Sequence, residues 1–173
     1  MYNEILRRRP DLLETLCQDY WRARPMDEDG AAASRAFALP VFGVQDGKVT
    51  CQYSRPYVEQ AQEFPEVPRI AATQNEALDL LAEIAEEACL YSPFVPGDIQ
   101  LMNNHVIFHG RTAYEDDGAS HQERLLFRLW LSMPNSRRLP RGFEVLWGSV
   151  EPGAIRGGVV QPASGSRVPL RVA

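Results

Sequence analysis

The sequence predicts an α+β fold with a mainly β core: a helix-rich front over residues 1–98, core strands over 99–150 and a tail over 151–173. Three observations carry this. Apolar residues recur at helical spacing in the front, they alternate at strand spacing from Ile99 onward, and Gly, Pro and Ser crowd the last stretch. At 173 residues, 45% hydrophobic and 24% charged, the chain has the size and composition of a single globular domain over 1–173.

Each element follows in order. From Tyr2 to Leu16 the apolar residues are Ile5, Leu6, Leu12, Leu13 and Leu16, with Arg7-Arg8-Arg9 on the polar side. Pro10 divides the stretch into two short helices, the second from Asp11, because proline cannot continue a helix. The triple arginine reads as a solvated face, with an anion patch as the alternative. Met1 stands directly before the helical pattern, and no signal peptide is expected. Phe37 to Val44 and Val49 to Tyr53 flank Asp46-Gly47, a pair suited to the left-handed angles of a hairpin turn. Pro40 in the first arm predicts an edge strand. Pro56, Pro65 and Pro68 mark a loop-rich connection. Thr73 and Glu76 spell a capping box for a helix to about Cys89, with Ala77, Leu80, Leu81, Ile84 and Ala88 inward. Pro93, Pro96 and Gly97 make a turn. Strands are predicted at Ile99–Met102, Val106–His109, Arg124–Ser132 and Glu144–Trp147.

Composition excludes several functions. The net charge is −5, and the surplus of acids lies ahead of residue 137, while 137–173 hold six Arg against Glu144 and Glu151. An acidic body argues against nucleic acid as a partner, since that affinity needs clustered cations. No apolar run approaches the roughly 18 residues of a membrane span. Cys17, Cys51 and Cys89 are widely spaced, with no metal-type pair and no disulfide framework, which predicts a reducing, cytoplasmic setting.

Chemistry concentrates in two neighbouring runs. The first is Asn103-Asn104-His105-Val106-Ile107-Phe108-His109-Gly110-Arg111-Thr112-Ala113-Tyr114-Glu115-Asp116. In a strand His105, Ile107 and His109 share a face, and Gly110 leaves His109 at a rim that a ligand can reach. The second run sets Arg124, Leu126, Arg128 and Trp130 on one face and Leu125, Phe127, Leu129 and Leu131 on the other. Two guanidiniums in an apolar strand call for anions. Salt bridges to Glu115, Asp116 or Asp117 would satisfy them, and so would a carboxylate ligand clamped by paired hydrogen bonds.

These runs resemble the C-terminal half of the TauD/TfdA family of Fe(II)- and 2-oxoglutarate-dependent dioxygenases. The similarity rests on Asn104, His109-Gly110-Arg111-Thr112-Ala113-Tyr114 with Asp116, and Arg124-Leu125-Leu126-Phe127-Arg128-Leu129-Trp130-Leu131. It extends forward through Asn3-Glu4, Arg9-Pro10-Asp11-Leu12-Leu13, Gln52-Tyr53-Ser54-Arg55-Pro56-Tyr57 and Pro96-Gly97-Asp98-Ile99-Gln100. The resemblance implies part of a double-stranded β-helix, or jelly roll, with flanking helices. It implies His109 as the last ligand of a two-His, one-carboxylate iron triad. It also implies Arg124 as the partner of the distal carboxylate of 2-oxoglutarate, with Arg128 a second contact to that co-substrate or to an acidic small-molecule substrate. O2 is the other substrate.

The chain departs from the family in its remaining ligands, which a His-x-Asp or His-x-Glu motif supplies upstream. His121-Gln122-Glu123 has that spelling but stands directly before Arg124, out of place. His105, four residues from His109, would lie about 13 Å from it along a strand, too far to share one metal. It reads as a packed histidine or one that supports the site from behind. Two functions therefore stand. One is a dioxygenase that is incomplete in this chain; the other is a non-catalytic jelly-roll relic, binding a small acid or mediating assembly without iron. Exposed sheet edges predict homo-oligomers. A hydrolase would need a Gly-x-Ser-x-Gly elbow, which does not precede a helix here.

Overall fold

The computed structural model describes residues 1–24, 34–113 and 126–156. Two short helices open the chain, α1 (Tyr2–Arg8) and α2 (Pro10–Leu16). Pro10 starts α2, a position where a helix needs no N–H from it. β1 (Asp19–Ala23) and β2 (Ala36–Pro40) pair antiparallel, with Asp19 opposite Pro40 and Ala23 opposite Ala36. β3 (Phe42–Gln45) and β4 (Lys48–Cys51) form a hairpin, with Phe42 opposite Cys51. Helices α3 (Arg55–Ala61) and α4 (Ala72–Glu87) follow. A 3₁₀ turn at Arg141–Phe143 leads into a single turn of helix, α5 (Glu144–Trp147). The architecture is mixed helix and sheet, with two small antiparallel sheets among the described residues.

The hairpin turns where Asp46 and Gly47 take φ values of 51° and 70°, the left-handed pair of a two-residue turn. The arm expected over Phe37–Val44 divides at Val41. Its first half pairs with β1, a strand the sequence patterns did not bring out, and its second half pairs with β4. Val41 is the pivot: its N–H donates to Leu16 O at 3.0 Å, and its carbonyl accepts from Gln52 N–H at 2.9 Å. The proline-rich connection holds α3, because Pro56 falls in the first turn of that helix and not in its interior.

Helix α4 begins earlier than the capping box predicts. Its N-cap is Ala71, whose N–H donates to Gln74 Oε1 at 3.0 Å. Thr73 lies inside the first turn, and Glu76 pairs with Arg9 at 2.7 Å. Ala77, Leu78, Leu81 and Ile84 are buried, Leu80 half-buried, and Ala88 exposed beyond the helix end.

The main core packs Ile5, Leu12, Leu13 and Leu16 against Phe42, Val58 and the buried face of α4. Tyr2 meets Phe42 edge to face at 5.3 Å. A second cluster joins Phe37 and Leu39 of β2 to Leu139, Phe143 and Val150. This cluster depends on Gly43, where an added Cβ would stand 2.8 Å from Pro140 Cγ and 2.9 Å from Phe143 Cε2. The triple arginine is neither free nor an anion patch. Arg7 pairs with Glu4 at 2.5 Å, Arg8 with Glu4 at 2.6 Å and Glu87 at 2.5 Å, and Arg9 with Asp11 at 2.6 Å. Arg8 and Arg9 thereby clasp the first two helices to α4.

The back of the chain departs from expectation. Residues 99–113 form no strand; a turn at Asn104–Val106 interrupts them. Asn103 O accepts from Val106 N–H at 2.9 Å and Ile107 N–H at 3.1 Å, and Asn103 Oδ1 accepts from His105 N–H at 3.0 Å. The predicted strand Arg124–Ser132 is described from Leu126 and has no regular structure there. A strand needs a neighbour to satisfy its backbone, and among the described residues none pairs with these segments. Glu144–Trp147 is helix, since Phe143, Leu146 and Trp147 pack at helical spacing beside β2. A double-stranded β-helix is thus not displayed by the described residues. Of the tail, 157–173 lie outside them. No helix among the described residues is long and apolar enough to cross a membrane, and Cys17, Cys51 and Cys89 are free thiols.

Candidate functional site

The functional side chains expected from sequence fall on the irregular back of the chain. His109 follows the Asn103 turn by a few residues and is exposed, as are Gly110, Arg111 and Thr112 after it. With the strand replaced by a turn, His105 and His109 no longer share a strand face. His105 is half-buried, and its imidazole is held below the usual histidine range by burial first, then by the charges of Arg137 and Arg156. Both effects favour its neutral form.

Arg128 is exposed and makes no ion pair with any described residue. Beside it Trp130 rests against Trp147, ring centroids 5.9 Å apart and planes tilted at 53°. Arg124, His121-Gln122-Glu123 and the acids Glu115, Asp116 and Asp117 lie outside the described residues. The structure therefore describes one expected metal ligand, His109, and one expected carboxylate clamp, Arg128. It leaves both uncovered.

Among the described residues no three His, Cys, Asp or Glu side chains come together to hold a metal ion. His109 on its own does not make an iron centre. Two shallow clefts open elsewhere. One, of about 220 Å³, is lined by Gln45, Asp46, Lys48, Asn135 and Arg137. The other, of about 170 Å³, is lined by Tyr20, Trp21, Gln62, Arg69 and Gln74. Neither includes His109 or Arg128, and both sit on the well-packed front and its border, so we do not place the chemistry there.

One charged residue was missed from sequence. Arg22 on β1 is 2% exposed, and its Nε and Nη1 have no hydrogen-bond partner among the described residues; Nη2 reaches Pro40 O only at 3.4 Å. Burial pushes its pKa down to about 10, eased by Cys51, Tyr20 and Asp19 nearby. Burial likewise pushes the Cys51 thiol and the Tyr20 hydroxyl up. The signal was available in Tyr20-Trp21-Arg22-Ala23, where an arginine alternates with bulky apolar residues as Arg124 and Arg128 do.

Comparison with known proteins bears on the same segments. The profile of the taurine catabolism dioxygenase TauD, TfdA family matches residues 1–130, a span that contains His109, Arg124 and Arg128. The taurine hydroxylase-like protein SAT17 of Stachybotrys chartarum is 36% identical over 137 residues, which is 75% of this chain and 33% of that protein. FR-33289 synthase of Streptomyces rubellomurinus is 31% identical over 163 residues, 86% of this chain and 45% of that protein. The chain thus spans between a third and a half of the length of these curated relatives. Its motif block, its length of match and its two named relatives agree: the chain belongs to the TauD/TfdA dioxygenase family.

Proposed function

We propose that this chain carries the His and Arg elements of an Fe(II)- and 2-oxoglutarate-dependent oxygenase that hydroxylates a small organic acid. The observation that supports it is the family match across residues 1–130, which takes in His109, Arg124 and Arg128 together. His109 is the metal ligand, one of a two-His, one-carboxylate set. The described residues bring no second ligand to it, so the rest of the centre lies outside them. Arg124 and Arg128 provide the two guanidiniums: one takes the distal carboxylate of 2-oxoglutarate through paired hydrogen bonds, the other faces an acidic substrate. The family match implies a double-stranded β-helix as the fold that would hold them. Iron and 2-oxoglutarate, when bound, supply the oxidation by O2, while the protein orients the acid groups and controls access.

Anaerobic addition of Fe(II) and 2-oxoglutarate tests this directly. A complete centre gives a weak visible charge-transfer band and, with O2, succinate; His109→Ala abolishes both. Arg124→Ala and Arg128→Ala, taken separately, identify the co-substrate clamp by weakening 2-oxoglutarate binding roughly tenfold to a hundredfold, the worth of a charged hydrogen-bonded pair. If neither variant weakens binding, the assignment of both arginines is wrong. If the chain gives neither band nor succinate, autonomous catalysis is refuted and a small-acid-binding or assembly domain without iron takes its place.

A further inference from the structure

We propose that Arg22 binds a small carboxylate, of formate or acetate size, enclosed between the β1–β2 sheet and the β3–β4 hairpin. Arg22 stands opposite Phe37 on the paired strand, and directly opposed residues share a sheet face. Its side chain therefore lies on the face that carries Phe37 into the cluster with Leu39 and Phe143. Thr50 comes to the border of the same cluster from the hairpin: it stands opposite Gly43, where an added Cβ would meet Phe143. The Thr50 hydroxyl is buried and, like Arg22 Nε and Nη1, has no hydrogen-bond partner among the described residues. Two orphaned polar side chains thus border one otherwise apolar cluster, one from each sheet. Apolar packing does not account for them.

The chemistry of the occupant follows from what surrounds Arg22. Even with its pKa pushed down to about 10, the guanidinium stays charged at neutral pH, and a buried charge without a counter-charge is strongly unfavourable. Its described neighbours do not supply that charge. Burial keeps the Cys51 thiol and the Tyr20 hydroxyl neutral, and Asp19 is exposed and acts on Arg22 only at longer range. A carboxylate brings the negative charge together with two acceptor oxygens, which match the planar donors of arginine. It is a small one, because Arg22 is almost wholly enclosed and lines neither of the two clefts. The acid is therefore taken up as the sheet and the hairpin close on Arg22, and its binding is read as added stability. The site is separate from the clamp assigned to Arg124 and Arg128.

Urea unfolding of the purified chain in rising formate or acetate, exchanged against chloride at constant ionic strength, tests this. The parent midpoint should climb with each tenfold rise in the carboxylate, and Arg22→Met should abolish the climb. Arg22→Lys keeps the charge but lacks the planar fork; it should lose most of the climb, and it serves where the methionine variant fails to fold. 2-Oxoglutarate, too long for the enclosure, should give no climb that depends on Arg22. A flat parent midpoint shows that water alone completes the donors and overturns the proposal. An equal climb in parent, Arg22→Met and Arg22→Lys marks a general salt effect and also overturns it, as does an Arg22-dependent climb with 2-oxoglutarate. So does an Arg22→Met variant less stable than the parent with no carboxylate added, since a carboxylate of the chain itself then holds the guanidinium. None of these midpoints involves iron or turnover, so failure of the oxygenase reading is seen separately.

Discussion

Two regions of this chain are both rich in apolar residues and end in opposite states. In residues 2–16 and 72–87, Ile5, Leu16, Leu78 and Leu81 are at most 1% exposed. In 99–108 and 126–133, Ile99, Leu101, Phe127 and Leu131 are at least 74% exposed. Hydrophobicity does not separate them; periodicity does. Helical residues satisfy their backbones locally, so α1, α2 and α4 need only turn their stripes together, and Arg8 and Arg9 then hold them with ion pairs to Glu87 and Glu76. Strand-patterned residues satisfy nothing until a neighbouring strand arrives. The relatives are more than twice as long as the portion matched here, and the uncovered stretch is the one that carries His109 and Arg128.

The difference can be broken from either side. Leu81→Ala in the front should cost about 2–5 kcal/mol, since a fully buried leucine leaves a cavity. Leu101→Ala, at an 84% exposed position, should change stability by less than about 0.5 kcal/mol. Urea unfolding of the two variants measures both, and equal losses would show the back to be packed. Gly43→Ala comes next. Its Cβ would press on the rings of Pro140 and Phe143, and overpacking of this kind costs about 1–3 kcal/mol. Because that contact joins the hairpin to the segment after residue 134, the loss should be accompanied by faster hydrogen exchange around Leu139 and Phe143.

The same contrast explains what could be read from sequence. The break at Pro10, the Asp46-Gly47 turn and the buried face of α4 follow from local rules, and the structure has them close to where the patterns put them. Glu144–Trp147 misled because a run of only three apolar residues, Val145 to Trp147, has no period of its own; Phe143, just ahead of Glu144, completes the helical spacing. β1 was not foreseen because its partner β2 lies beyond the intervening 25–33, and the expected hairpin arm concealed the exchange of partners at Val41. For the site, His109 and Arg128 were legible as residue types in a family motif. Their neighbours were not, because a site assembled from distant strands is written in contacts that no local pattern records.

Arg22 marks where the well-packed front departs from its own rule. It is a buried cation that makes no ion pair with a described carboxylate, Asp19 acting on it only at longer range, and replacing such a group by an apolar one of similar volume is commonly neutral or stabilising. Arg22→Met should therefore leave the urea midpoint unchanged or raise it. A drop of more than about 1 kcal/mol would show that the guanidinium has an anionic partner, and would turn attention from the back of the chain to β1.

The smallest effect is the pH dependence of the front's ion pairs. Hydrogen bonds from Arg7 and Arg8 hold the Glu4 carboxyl down at about 2, below its ordinary 4.5. Arg8 lowers Glu87 and Arg9 lowers Asp11 in the same direction. A lowered carboxylate binds fewer protons folded than unfolded, so its stabilisation is complete above about pH 4.5 and is lost as pH falls toward 2. Thermal midpoints should decline through that window, and Glu4→Gln should flatten the decline while costing little at pH 7. These side chains are partly to fully exposed, so 0.5 M salt should erase much of the difference between Glu4→Gln and the parent. A slope that survives both the substitution and the salt would place the acid sensitivity outside the ion pairs of Glu4.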